Sequence, residues 1–194
     1  MTNIEMIREQ IMIDSENQAF QEKGWNPVFL ASEEAKIVII GQAPGIKTQE
    51  KEEVFRDKSG ERLREWMGVT EEEFYHSGKI AVLPLDFYFP GKAKTGDLPP
   101  RKDFADKWHP HLLKEMPDVE LIILMGAYAQ KHYLKNKMKK NLTETVLAYQ
   151  EYLPEYFPIV HSSPLNFRWF RNHPEFEENI VPVLREIIRE IMGK

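Results

Sequence analysis

The chain has 194 residues, no cysteine and a formal net charge of −5. The missing thiols exclude disulfides, thiolate metal sites and cysteine nucleophiles. No apolar run approaches the roughly 20 residues that cross a bilayer. Met1–Gln10 carries acids among its apolar residues and no small-residue cleavage site, so no signal peptide and a cytoplasmic location are expected. The length suits one domain over 1–194, with 1–35 as a helical extension packed on it, and a monomer is expected.

Thr2-Asn3-Ile4-Glu5 is a capping-box pattern, and Ile4, Ile7 and Ile11, continued by Ser15 and Gln18, recur at helical spacing. Together they predict one amphipathic helix over 3–22. Lys36-Ile37-Val38-Ile39-Ile40 is a β-branched run ended by Gly41; it does not alternate with polar residues, which predicts a buried parallel strand. A polar stretch, a helix around Gly60–Met67 and a short helix opened by Thr70-x-x-Glu73 follow. Lys79–Leu85 reads as a second buried strand, broken by Pro84 and by a Pro/Gly-rich loop from Pro90 to Pro100. A helix around Lys102–Glu115 comes next, with Pro110 expected to kink or break it. Val119–Met125 is the third strand, with a helix from Ala127; Phe157–Val160 is the fourth, and Glu175–Met192 is the closing helix. Strands alternating with helices predict an α/β fold of three layers, αβα, around a central, mainly parallel four-stranded sheet.

In such sheets ligands sit outside the carboxyl ends of the strands, here just after Ile40, Leu83, Met125 and Val160. Two of those places carry unusual sequences. Gly41-Gln42-Ala43-Pro44-Gly45 makes a tight loop whose backbone can approach a flat or anionic ligand, although the same residues serve equally as an ordinary turn. It is neither a Walker A loop nor a GxGxxG fingerprint. His161 follows the last strand directly, so it is expected to face the crevice. Ser162, Ser163, Pro164, Leu165 and Asn166 form a stiff loop that presents Leu165 at its tip, suited to part a base stack as other apolar wedges do. Arg168, Trp169, Phe170 and Arg171 alternate cations and aromatics, groups that hold phosphates and stack on bases. The aromatics read as core and the arginines as DNA contacts. Because the net charge opposes phosphate binding, a basic face has to be local. Candidates are Lys92, Lys94, Arg101 and Lys102 in one loop, the run Lys131 to Lys140, and Arg168 with Arg171. Lys135, Lys137, Lys139 and Lys140 also suit a solvated helix end.

Taken together, the loop 41–45 after the first strand and the loop 161–165 after the last resemble the two motifs of the uracil-DNA glycosylase superfamily. Those motifs read G-[QE]-x-P-[GY] and, approximately, H-P-S-P-L. The chain is most similar to the branch whose first loop reads GEAPG, because Phe55, Gly60 and Leu63 stand at that branch's spacings. The stretch from Pro100 to Ala129 also looks like that branch, and the resemblance covers about residues 36–190. The branch's four iron–sulfur cysteines are absent, so no cofactor is expected. Ala43 stands where other branches place a water-positioning acid or amide, and Thr48, Gln49 and Glu50 where the branch has an acid. The base-reading Asn after the second strand is missing from Leu83-Pro84-Leu85-Asp86-Phe87-Tyr88.

The resemblance implies a monofunctional DNA glycosylase that hydrolyses the N-glycosidic bond of uracil or a related deaminated base. Its partner would be DNA carrying a damaged base, single- or double-stranded. His161, Gln42, Asp86 and Glu50 are the catalytic candidates, with His161 donating to a base carbonyl; Asp86 suits a turn cap at the strand end equally well, and Glu50 a solvated acid. Gly41, Ala43, Pro44, Gly45 and Phe55 would hold the base. Ser162, Ser163, Pro164, Leu165, Asn166, Arg168 and Arg171 would contact DNA, and no metal is expected. Two other readings stay open: a nucleic-acid- or base-binding protein without activity on the same fold, and an α/β enzyme acting on a free nucleotide through the loop 41–45.

Overall fold

The computed structural model describes residues 1–194. Thr2 caps α1 (Asn3–Ile13) with both halves of a capping box, accepting from Glu5 N and donating its own N–H to the Glu5 carboxylate. The helix expected over 3–22 stops at Asp14, where the backbone is extended and the carboxylate accepts from Glu16 N. Asn17 is buried and donates to the Ile11 carbonyl at 2.7 Å, so Ser15 and Gln18 stay outside and a separate short helix, α2 (Gln18–Gln21), begins. Short polar side chains that bond nearby backbone compete with helix continuation.

The remaining elements are β1 (Ile37–Ile40), α3 (Ile46–Lys51), α4 (Lys58–Met67), α5 (Glu71–His76), β2 (Ile80–Val82), α6 (Phe104–Lys114) and β3 (Leu121–Met125). They are followed by α7 (Gly126–Leu134), α8 (Leu142–Leu147), β4 (Tyr156–Ile159), α9 (Phe167–Asn172) and α10 (Val181–Met192). The strands form one parallel sheet in the order β2-β1-β3-β4, with Ile37 between Ile80 and Leu121. This is the α/β, αβα arrangement expected from the alternation of strands and helices. Three local expectations change. β2 is only three residues long, and its pairing with β1 runs on past Pro84 as single hydrogen bonds from Leu83 N to the Ile39 carbonyl and from Leu85 N to the Gly41 carbonyl. Pro110 sits on the exposed side of α6, which runs through it. A π-helical turn over Phe176–Ile180 precedes α10, whose first turn contains Pro182, which has no N–H to donate.

Side chains alternate across the sheet and build a core on each face. Ile37, Ile39, Ile80, Val82, Ile123 and Phe157 pack with Leu63, Trp66 and Met67 of α4 and with Leu184 and Ile188 of α10. Val38, Ile40, Ala81 and Leu124 pack with Ile4, Ile7 and Ile11 of α1, Trp108 and Leu112 of α6 and Ala129 of α7. All four residues of β1 are fully buried, as a strand covered on both faces requires. The N-terminal segment also touches the sheet's edge: Leu30 exchanges two backbone hydrogen bonds with Val82, at 3.0 and 2.7 Å.

His109 of α6 is buried in the second core and supports the turn after β2. Its Nε2 bonds the Pro84 carbonyl at 2.8 Å; a carbonyl only accepts, so Nε2 carries the hydrogen and Nδ1 accepts from the Tyr133 hydroxyl at 2.6 Å. Burial lowers its pKa to about 4, against the opposing bond to Pro84. In the unfolded chain the imidazole takes its proton near pH 6.5, so between that pH and 4 the unfolded state binds more protons. Acidification through this window is therefore expected to remove about 3 kcal/mol of stability through this group. Urea titrations at stepped pH should show that component in the wild type and lack it in His109→Gln.

Candidate active site

A cavity of about 660 Å³ opens at the carboxyl ends of β1, β2 and β4. Its walls are the stretch from Gly41 to Thr48, Val82 and Pro84, and His161, Ser163 and Leu165. Val54, Phe55 and Asp57, between α3 and α4, and Ser59 in the first turn of α4 add a further wall, and Pro90, Lys92, Asp97 and Leu98 add the last. The end of β3 contributes nothing, because Gly126 passes straight into α7.

The first loop continues the pairing of β1 with the segment after β2: the Gly41 carbonyl accepts from Leu85 N at 2.9 Å and the Gln42 carbonyl from Asp86 N at 3.3 Å. Its glycines are not dictated by crowding. A Cβ on Gly41 would meet no atom within 4 Å, and one on Gly45 only Asp97 Oδ2, at 3.8 Å.

Phe55 is held in a left-handed backbone conformation, φ 53°. The Arg64 guanidinium donates to the Phe55 carbonyl at 2.9 Å and the Tyr75 hydroxyl to the Val54 carbonyl at 2.7 Å. The ring meets Phe74 edge-on, with centroids 6.4 Å apart. Gly60 makes this possible: a Cβ there would lie 1.7 Å from the Phe55 carbonyl oxygen. The Gly60 N–H instead bonds Asp57 Oδ1, which caps α4.

His161 is half-buried and its orientation is fixed by its own loop. The Ser163 N–H donates to Nδ1 at 3.0 Å, so Nδ1 is unprotonated and the hydrogen of the neutral ring sits on Nε2, which has no protein partner. Burial holds the pKa of His161 below the ordinary imidazole value, with the negative charge of Asp57 pulling the other way. The Asn166 amide donates to the His161 carbonyl at 2.9 Å, and Leu165 N donates to the Ser163 hydroxyl at 3.2 Å. Leu165 projects outward, 86% exposed, and the nearby Phe167 is 58% exposed.

The structure thus brings Gly41, Gln42, Ala43, Pro44, Gly45, Phe55, His161, Ser163 and Leu165 to one cavity. Other candidates lie elsewhere. Asp86 is fully buried, and its carboxylate accepts from Tyr88 N and Arg101 N and from both Nε and Nη2 of Arg101. With its lone pairs committed it is not placed to activate water, and Arg101 is spent inside the fold rather than on a basic face. Glu50 is exposed on α3 and does not line the cavity. Ser162 is buried and donates to the Ser59 carbonyl at 2.7 Å, so its side chain faces away from any DNA. Pro164 is exposed at the loop tip, Asn166 is turned inward on the loop, and Arg168 and Arg171 are exposed on α9 outside the cavity.

Asp57 and Asp97, which no sequence motif marks, line the cavity, and so does Lys92, a candidate for the basic face. Asp57 has the sequence position of a helix cap, three residues before Gly60. The other two sit in the Pro/Gly-rich segment, where glycines flank them at positions 91 and 96. No group of three His, Asp or Glu side chains is placed to hold a metal ion. The chain has no cysteine to hold an iron–sulfur cluster, so the residues present do not fit that group. No helix is long and apolar enough to cross a membrane.

Residues 27–185 match the model of the Uracil DNA glycosylase superfamily. Among solved structures, the chain is similar to a solution NMR structure of a proposed uracil DNA glycosylase from Methanosarcina acetivorans. The identity is 17% and the TM-score 0.49, over 82% of this chain and 94% of that one. The family match spans both strand-end loops and Phe55 between them: the chain belongs to the uracil DNA glycosylase superfamily.

Proposed function

We propose that this protein is a monofunctional DNA glycosylase that hydrolyses the N-glycosidic bond of uracil or a related deaminated base in DNA. The observation that carries the reading is the fixed tautomer of His161, whose free Nε2–H belongs to a cavity shared with Phe55 and bordered by an exposed Leu165. A base must leave the stack to be cut, at a cost of a few kcal/mol. Leu165 fills the gap it leaves, and Phe55 stacks on the extruded ring against the loop 41–45. As the glycosidic bond lengthens, the sugar moves toward an oxocarbenium ion and negative charge builds on the base. The Nε2–H of His161 donates to a base carbonyl and stabilises that charge in a site poor in water. Gln42 orients the attacking water. Asp57, with one oxygen on the Gly60 N–H and the other without a protein partner, is the cavity carboxylate available to hold that water or to face the sugar cation. Neither cavity lysine sits in the desolvated surroundings that activate an amine nucleophile: Lys92 is exposed and ion-paired with Asp97, and Lys47 is an exposed residue of α3.

The direct test is alkaline strand cleavage of oligonucleotides carrying one uracil, single-stranded or opposite G or A. Wild-type protein should release the base, and His161→Ala should lower the rate about 10²–10³-fold, the usual loss for one such donor. Folded protein that binds these strands without cleaving them would instead favour the binding-only reading. The pH profile carries a sign as well. Protonating Nδ1 sets it against the Ser163 N–H, and burial postpones this to a pH below the ordinary imidazole range. Single-turnover rates should therefore stay level as pH falls from 8 to 6.5 and decline only below that. Leu165→Ala should slow excision from duplexes about tenfold while sparing single strands, since burying a leucine is worth about 1.5–3 kcal/mol only where a stack has to be replaced.

A further inference from the structure

The Pro90–Pro100 segment contains a hairpin. Ala93 N–H donates to the Gly96 carbonyl at 3.1 Å and Leu98 N–H to the Gly91 carbonyl at 2.8 Å, with Lys92 and Asp97 paired antiparallel. Gly91 and Gly96 take φ of 117° and 75°, which permits the tight return. The hairpin's base is anchored: Phe89 N–H donates to the buried Gln49 Oε1 at 2.9 Å.

Both Lys92 and Asp97 line the cavity that holds His161. Lys92 Nζ donates to Asp97 Oδ1 at 2.6 Å. Asp97 Oδ2 has no protein partner and lies 3.8 Å from where a Cβ on Gly45 would stand, so it faces the first loop. The pair therefore presents a free acceptor next to an ammonium with N–H donors to spare. The Asp97 side chain is only 31% exposed, so a base entering the cavity would remove most of the water left around it.

A flipped base is recognised through its Watson–Crick edge. Cytosine and adenine offer a ring-nitrogen acceptor beside an amino donor. Deamination exchanges these for a ring N–H donor beside a carbonyl acceptor, in uracil and hypoxanthine alike. A carboxylate facing the ring N–H, with an ammonium facing the carbonyl, matches the deaminated edge at both positions. The same pair meets the parent base with acceptor against carboxylate and amino group against ammonium, so both contacts repel.

We infer that the Lys92–Asp97 pair is the specificity-determining reader of the extruded base, accepting deaminated bases by their lactam edge and rejecting their amino parents. It supplies from the hairpin what the segment after β2 does not, a side chain that reads the base. This rests on the glycosylase reading of the same cavity.

The test measures binding to single-stranded oligonucleotides that carry one 2′-fluoro-2′-deoxyuridine or one 2′-fluoro-2′-deoxycytidine, whose glycosidic bonds resist cleavage. Wild-type protein should prefer the uracil strand by about tenfold or more, in line with one charged hydrogen bond. Asp97→Ala should bring that ratio close to one without lowering affinity for unmodified DNA, a selectivity change that a merely structural residue would not produce. Asp97→Leu, of similar size and without a hydrogen-bonding group, gives the same reading should the alanine variant misfold. A preference that survives both substitutions overturns the inference, as does a wild type that cleaves uracil DNA yet binds the two analogues equally; the glycosylase reading stands in either case. A wild type that neither cleaves nor discriminates overturns both.

Discussion

The two loops that carry His161 and Phe55 come from distant parts of the chain, and a buried hydrogen bond joins them. Ser162 Oγ donates to the Ser59 carbonyl across 103 residues of sequence. A hydroxyl shut away from water without an acceptor costs about 1–3 kcal/mol, so the bond selects one approach of the loops. Ser59 lies in the first turn of α4, and the next residue, Gly60, receives the Phe55 carbonyl against its bare Cα. On the other side, Ser163 aims the imidazole. The aromatic wall and the hydrogen-bond donor are thus set by adjacent residues on both sides of one joint, and both loops rest on regular elements. Rigid support of this kind keeps a site within the fractions of an ångström that catalysis demands.

A second set of buried polar groups holds the opposite wall. Asp86 gathers Arg101, two backbone amides and, through Arg101, the Asn17 side chain and the Glu16 carbonyl. Removing one partner of such a buried pair costs about 3–5 kcal/mol, because the remaining charge is stranded. His109 fixes Pro84, and Gln49 spans from the Asn26 carbonyl to Phe89 N. These groups pin both ends of the stretch from Pro84 to Arg101, which includes the hairpin. A sequence position that looks catalytic is here a structural anchor for residues that face the cavity.

The parts legible in the sequence are those governed by local pattern. Ile37–Ile40 announces a strand buried on both faces because no polar residue interrupts it. His161 and the loop 41–45 stand out because unusual residues directly follow such runs, and Phe55 only through the resemblance to the glycosylase branch that places a Gly five residues on. The parts not legible depend on partners distant in sequence. The burial of Asp86 follows from Arg101, fifteen residues later, and Ser162 turns inward because Ser59 offers it a carbonyl. Asp57 and Asp97 look like solvated acids in polar loops, and only the folded chain brings them to the cavity. The early end of α1 at Asp14 reflects Asn17 capping backward onto Ile11, a competition that helical spacing alone does not reveal.

The contact between Leu30 and Val82 has a consequence for how copies of this protein behave beside one another. An open parallel sheet offers unpaired amides and carbonyls along its outer strands, a ready template for another chain. Leu30 occupies part of that template on β2, and Pro158 leaves β4 with one fewer donor. Lateral growth by strand addition is blunted at both margins, and neither device touches the cavity at the carboxyl end of the sheet.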